Sequence, residues 1–373
     1  MIDTGLDRRR IVVCCGAGGV GKTTISAALG LGLAKLGHRT VVVTIDPAKR
    51  LATALGMADL GDEPTRVSHE RMTDAGLSVP GELWALQLDA KATFDRLVAR
   101  EAPTAEAREE ILQNRIYTHL SGAVAGAQEY MAVERLHELV EDGRFERIVL
   151  DTPPSQNALD FLEAPERITR FLEGKALRLL LRPAAGGGMA RRALQMGGNA
   201  VLSVLERLTG AQMLRDISEF LGAFEGMYEG FSRRAEEVRA MLRSEDTGFV
   251  VVTAPAPEPT AEAVALVRQL AEDDYPLEGV VLNRVHGAPP ADAVDGDALR
   301  DALRAAGARD PADLAERAIQ TLHELRALAA RDGRAREDLT DALGAAPVGQ
   351  VPALDDEPVD LHGLARVTAA LRT

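Results

Sequence analysis

Residues 16–24 of this 373-residue chain, Gly-Ala-Gly-Gly-Val-Gly-Lys-Thr-Thr, narrow its choice of fold more than any other stretch. They follow an apolar, β-branched run, Ile11-Val-Val-Cys-Cys15, and open an Ala/Leu-rich stretch from Ile25 to Leu36. Strand, glycine loop and helix in that order are what a G-x-x-x-x-G-K-[ST] pattern needs in order to cradle phosphate. Gly16, Gly18, Gly19 and Gly21 let the backbone turn with φ > 0 and bring its N–H groups, including that of Val20, close to an anion. The following helix aims its N-terminal donors and its dipole at the same charge. Lys22 is placed to neutralise the outer phosphates, and the Thr23 hydroxyl to ligate Mg²⁺. The loop therefore predicts a bound nucleoside triphosphate.

Further strand-like runs recur between helical segments: Thr40–Ile45, Leu83–Leu88, Arg147–Leu150, Gly248–Thr253, Leu277–Leu282 and a short Pro347–Val351. Most are Val/Ile/Leu-rich on both faces, as strands are when helices cover both sides of a parallel sheet. The fold class expected is α/β: a doubly wound, mainly parallel sheet of the P-loop NTPase type, with its ligand at the carboxyl ends of the strands. Two stretches break the alternation, about 90–142 and 161–243, and are read as helical insertions in a single domain spanning 1–373. Glycine clusters near 186–188 and 197–198 mark connections inside the second. Apolar positions there recur at helical spacing, from Val201 through Phe224 to Phe231, with Met189, Met196, Met213, Met227 and Met241 close by. Two readings stand: a helical layer packed on the sheet, or an adaptable apolar surface for a client helix.

Composition limits the partners. The net charge of −14 argues against nucleic acid, which rewards a basic face through counterion release. It argues equally against a polybasic membrane anchor. No apolar stretch is long enough for a transmembrane segment, and residues 1–10 lack a signal-peptide core, so a cytoplasmic location is expected. The two cysteines, Cys14 and Cys15, are adjacent on the first strand, point to opposite faces, and offer neither a disulfide framework nor metal-ligand spacing. Histidines are scattered; His119, His137 and His323 fall in helical stretches without a second ligand beside them.

Two carboxylates complete the chemistry. Arg147-Ile-Val-Leu-Asp-Thr-Pro-Pro-Ser155 puts Asp151 at the carboxyl end of a buried strand, where it can hold Mg²⁺ through a water while Thr152–Ser155 sense the γ-phosphate. An Asp capping a helix near Asn157 is the structural alternative. Val43-Thr-Ile-Asp-Pro-Ala-Lys-Arg50 ends the second strand at Asp46, on the same side of the sheet, where a carboxylate can polarise the attacking water. Lys49 and Arg50 read as solvated charges.

Together the three segments resemble the ArsA-type ATPases of the deviant-Walker, SIMIBI-like P-loop class. That class includes the arsenite-pump ATPase and the ATPase that targets tail-anchored membrane proteins. GAGGVGKTT is similar to the family's GKGGVGKTT, TIDPAKRLATALG to its switch I pattern TDPAHxLxxxxG, and DTPPSQNALDFLEAP to its switch II pattern DTAPTGHTLRxLxxP. Gly279-Val-Val-Leu-Asn-Arg284 resembles the strand that ends in an adenine-binding Asn, which falls on Asn283. The resemblance covers most of the chain and is strongest to actinobacterial ArsA-like proteins. It implies ATP and Mg²⁺ as ligands. Lys22, Thr23 and Thr24 would bind phosphate, Asn283 and Pro352 would flank the adenine, and Thr23, Asp46 and Asp151 would serve the metal. Asp46 and Lys22 become the catalytic pair.

The departures are as informative. The family's signature lysine, which crosses a dimer interface, is Ala17 here. Its switch II glycine, histidine and arginine become Gln156, Asn157 and Asp160. There is no metalloid-binding cysteine set and no CxxC pair after Asn283. The resemblance thus implies a dimeric ATPase whose closure is coupled to a client protein or a peripheral membrane partner. It acts as a homodimer with another cation replacing the lysine, or as a catalytically weak subunit of a heterodimer with a lysine-bearing relative. A ParA/MinD-type positioning ATPase and a metabolic kinase are the poorer alternatives.

Overall fold

A computed structural model of the chain describes residues 5–46, 48–102, 104–114, 127–152, 228–289, 294–344, 346–356, 358 and 360–372. Its strands are β1 (Ile11–Cys15), β2 (Arg39–Thr44), β3 (Thr65–Arg66), β4 (Glu82–Gln87), β5 (Arg147–Asp151), β6 (Thr247–Thr253), β7 (Leu277–Val285) and β8 (Val348–Pro352). They form one eight-stranded sheet in the order β3-β4-β2-β5-β1-β6-β7-β8. Every pairing is parallel except β3 with β4. The doubly wound parallel sheet expected from the apolar runs is therefore present, its boundaries moved by a residue or so. β7 runs three residues further, to Val285. β3 was not legible in the sequence, because its two residues are both exposed and carry no apolar signal.

The helices between strands are α1 (Lys22–Lys35), α2 (Arg50–Ala54), α3 (His69–Asp74), α4 (Ala90–Glu101), α5 (Ala105–Gln113), α6 (Ala127–Asp142), α7 (Tyr228–Leu242), α8 (Pro257–Glu272), α9 (Gly296–Ala305), α10 (Pro311–Leu343) and α11 (Leu361–Arg372). The expected helical stretch 90–142 contains α4, α5 and α6, broken at Ala102 and Asn114. Most of the second insertion, with the apolar stripe from Val201 to Phe224, lies outside the described residues, as do His119 and Gln156, Asn157 and Asp160. Met241, which was grouped with that stripe, packs against the core on α7.

Alternation along the buried strands builds a core on each face. Val12, Cys14, Val42 and Val250 join α1 and α11 on one side. Ile11, Val13, Cys15, Val41 and Val251 join α6, α7 and α8 on the other. Adjacent strand residues point to opposite faces, and the neighbouring cysteines divide accordingly. Both are free and fully buried, and burial pushes the Cys15 thiol up to about 12, far from the thiolate a nucleophile needs. α11 uses its apolar stripe internally: Leu364 and Leu371 are buried with α1, and the Thr368 hydroxyl donates to the Ala28 carbonyl at 3.0 Å.

On the opposite face α4, α6 and α7 are tied by buried charge. Glu134 of α6 accepts from Arg234 Nε of α7 at 3.0 Å and from Arg100 of α4. Burial pushes the Glu134 carboxyl up, and the two guanidinium groups oppose that shift. His137 lies between Glu141 and Glu237, and His323 is exposed. Among the described residues, no helix is long and apolar enough to cross a membrane.

Candidate functional site

The carboxyl ends of β1, β2, β5 and β7 meet in an open cleft of about 880 Å³, closed on the far side by Val351–Leu354. The loop after β1 shapes its floor. Gly16, Gly19 and Gly21 have φ of 144°, 75° and 93°, in the region that favours glycine. A Cβ on Gly16 would collide with the Val252 carbonyl, and one on Gly21 with the Asn283 carboxamide. At Gly19 the same position meets open space. α1 starts at Lys22 with no side-chain cap and no acidic residue in its first turn, which leaves its N-terminal donors free for an anion. Gly18 is exposed and Val20 buried.

Lys22 is 6% exposed and donates Nζ to the carbonyls of Gly16 (2.9 Å) and Ala17 (2.8 Å). Burial lowers its pKa, against the pull of Asp151. Asp151, 1% exposed, is the junction of the site. Its Oδ2 accepts from Thr23 Oγ1 at 2.7 Å and Thr44 Oγ1 at 2.8 Å, and Oδ1 from Ser26 Oγ at 3.4 Å. Burial pushes the carboxyl up to about 6; the Thr23 and Thr44 hydroxyls and the Lys22 charge hold it from going higher.

Thr44 also carries the link to Asp46, because its oxygen accepts from the Asp46 N–H at 3.3 Å. Asp46 closes an Asx-type turn, taking the Ala48 N–H on Oδ1 at 2.9 Å, and receives Arg50 Nη1 on Oδ2 at 3.1 Å. Thr152 is held by Cys14, its hydroxyl donating to that carbonyl at 2.9 Å. Thr24 lines the cleft beside Thr23.

On the other wall, Asn283 Nδ2 donates to the Val20 carbonyl at 2.8 Å and Oδ1 accepts the Arg284 N–H at 3.0 Å. Asn283 thus braces the loop from outside while lining the cleft opposite Pro352. Arg284 has φ 62°, where the β7–β8 register shifts, and sends Nη1 to the Gly19 carbonyl at 3.3 Å. His286 joins the same wall, held by Asp332 of α10 through Nδ1 (2.9 Å) and its backbone N–H (2.8 Å).

The cleft therefore gathers Gly19, Gly21, Lys22, Thr23, Thr24, Asp46, Asn283 and Pro352, with Asp151 directly beneath Thr23. Several contributors escaped the sequence, Ser26 and Arg284 among them. Thr44 was inside the quoted switch I segment, but only its bond to Asp151 gives it a task. Lys49 and Arg50 are exposed, as their reading as solvated charges had it, but they also line the cleft and pair with Asp59 and Asp46. His286 has no local signal at all, since its partner lies 46 residues away.

The donor set suits Mg²⁺. A hydroxyl and a carboxylate 2.7 Å apart, at the mouth of an anion-binding loop, match a hard cation that takes oxygen ligands and shares them with phosphate and water. Among the described residues there is no cluster of three or more His, Cys, Asp or Glu side chains able to hold a metal on its own.

A parallel α/β sheet, a glycine loop before α1 and a carboxylate at the adjacent strand end define a P-loop nucleoside-triphosphatase fold. The chain belongs to the ArsA-type ATPase family: residues 9–300 match the family described as anion-transporting ATPase. It is 25% identical over 307 residues to ATPase GET3 of Malassezia globosa, covering 80% of each chain. It is 27% identical over 325 residues to ATPase ARSA1 of Chlamydomonas reinhardtii, spanning 80% of this chain but 38% of that protein. The uncharacterized protein SCO2128 of Streptomyces coelicolor is 31% identical over 252 residues, 66% of this chain and 55% of its own.

Proposed function

We propose that this chain is a Mg²⁺-dependent ATPase of the cytoplasm whose dimer closes on ATP and relaxes on hydrolysis, passing the motion to a client protein or membrane partner. The observation that carries it is the unbroken path Thr23–Asp151–Thr44–Asp46, which ties the helix after the phosphate loop to two strand ends. A change at the γ-phosphate is thereby felt at both strand ends at once, as ligand-ordered switch loops require.

In this reading the backbone of Gly18–Gly21, with Lys22, Thr23 and Thr24, binds the phosphates. Lys22 supplies charge at the γ-phosphate, and Asn283 and Pro352 flank the adenine. Thr23 would hold Mg²⁺, with Asp151 and Asp46 reaching it through water; the ion supplies charge neutralisation at the phosphate oxygens. Asp46 orients the attacking water.

Ala17 favours a second reading, in which the chain is the weaker subunit of a heterodimer with a lysine-bearing relative. A DNA- or membrane-positioning role is opposed by the net charge of −14. Steady-state phosphate release from the purified chain with Mg²⁺-ATP, with Lys22→Ala as the blank, separates the first two. A self-sufficient ATPase exceeds the blank by roughly a hundredfold, the range in which removing one transition-state donor acts. Release at the blank level with ATP still bound selects the heterodimer.

A further inference from the structure

We propose that Arg50 supplies, within one chain, the positive charge that Ala17 leaves out of the phosphate loop, and that its ion pair with Asp46 is the resting position from which a triphosphate draws it. The inference rests on the reading of the cleft as an ATP site.

The cleft is lined by the cations Lys22, Lys49, Arg50 and Arg284, besides His286. Lys22 is buried on the carbonyls of Gly16 and Ala17, so it already serves the loop. The Ala17 side chain is only a methyl, packed on the core. Arg284 is engaged on the opposite wall with Gly19. Lys49 pairs with Asp59, which is not part of the cleft lining. Arg50 is the one whose partner is a candidate catalytic group. Its side chain is 66% exposed while that of Asp46 is 14% exposed, so the pair faces solvent from the arginine side. Exposed pairs of this kind contribute little, and a polyanion in the same cleft offers the guanidinium more. Arg50 is also the first residue of α2, which anchors its backbone while leaving the side chain free to swing. A guanidinium makes two parallel bonds to phosphate oxygens, a geometry an ammonium lacks.

The transfer has a second effect. At rest both Asp46 oxygens are occupied, Oδ1 by the Ala48 N–H and Oδ2 by Arg50. Moving Arg50 to the γ-phosphate frees Oδ2 for water. The water oxygen then bonds to the γ-phosphorus, its proton passes to Asp46, and the bond to the bridging oxygen breaks with its electron pair leaving on ADP. One side-chain movement thus supplies the missing charge and uncovers the base only when a triphosphate is present.

The test compares Mg²⁺ complexes of fluorescent ADP and of a non-hydrolysable ATP analogue on the full chain, alongside phosphate release. Arg50→Gln should leave ADP affinity within about twofold, weaken the triphosphate analogue by about tenfold, and lower kcat by roughly 10²-fold. Arg50→Lys should recover part of both losses. Ala17→Lys added to Arg50→Gln should restore triphosphate affinity. An unchanged ratio of the two affinities in Arg50→Gln would overturn the proposal. Nucleotide binding that is absent, or identical in Lys22→Ala, would instead sink the ATP reading and this proposal with it.

Discussion

Asp151 carries the strongest electrostatic strain of the site: a carboxylate that is 1% exposed, with three hydroxyls and one lysine around it. Its pKa rises from 3.8 to about 6 because burial disfavours the charged form more than those partners favour it. A carboxyl that holds its proton more tightly when folded costs stability as pH rises. The unfolded chain ionises first, so stability falls between about pH 4 and pH 6 and the full penalty stands above that window. At about 1.4 kcal/mol per unit, a shift of this size is worth up to roughly 3 kcal/mol. Asp151→Asn should therefore raise the urea midpoint of the nucleotide-free protein at pH 7.5, and the gain should shrink toward pH 4.5. A variant less stable than the parent at pH 7.5 would show that the hydroxyl bonds outweigh burial. The same substitution should abolish phosphate release, since Thr23 would lose the anionic partner beside the metal. On the proposed ATPase reading, the native protein keeps this cost because the charge is needed when Mg²⁺ and phosphate bind.

At the scale of elements, α1 is both the anion-binding helix and the lid of one core, and Gly30 shows how closely it is seated. A Cβ there would collide with Val42 Cγ2 and come within 3.4 Å of Leu83 Cδ1. Alanine gains about 1 kcal/mol over glycine inside a helix, but overpacking a filled core costs about 1–3 kcal/mol. Packing wins, so Gly30→Ala should lower stability by about 1 kcal/mol net, and Val42→Ala combined with it should fit better than the two single effects added. Denaturant unfolding of the two single variants and the double reads this directly; additive losses would mean that the helix shifts away instead. Because α1 begins at the phosphate loop, such a shift would also move Lys22 and Thr23. The opposite face is fastened differently, by Glu134 between two arginines, where losing one partner strands a buried charge.

For the whole molecule the question is what completes the site. In the proposed cycle a dimer closes on ATP, so the full chain should sediment with a mass near twice its 39.8 kDa, and faster with Mg²⁺ and a non-hydrolysable analogue. Without nucleotide, or in Lys22→Ala, that faster sedimentation should be lost. A single-chain mass under every condition would favour the lysine-bearing partner. Asp62 receives Arg96 of α4 at 2.5 Å and, through its carbonyl, Arg135 of α6 at 2.7 Å. The client surface expected around 201–231 lies mostly outside the described residues.

Local chemistry made most of the frame legible. A glycine loop must follow a strand and precede a helix, buried parallel strands must be apolar on both faces, and Asp46 and Asp151 stand where such strands end. Those constraints act over a few residues, so the sequence by itself determined the fold class, the phosphate loop and the two carboxylates. The tertiary structure alone decided which side chains meet. Thr44 becomes the link between Asp151 and Asp46, Asn283 braces Val20 across 263 residues, and Asp332 holds His286. The short edge strand β3 and the pairing of Arg50 with Asp46 were likewise decided there. Polar contacts of this kind leave no periodicity in the chain; they depend on the order of the strands, which brings distant strand ends to one edge of the sheet.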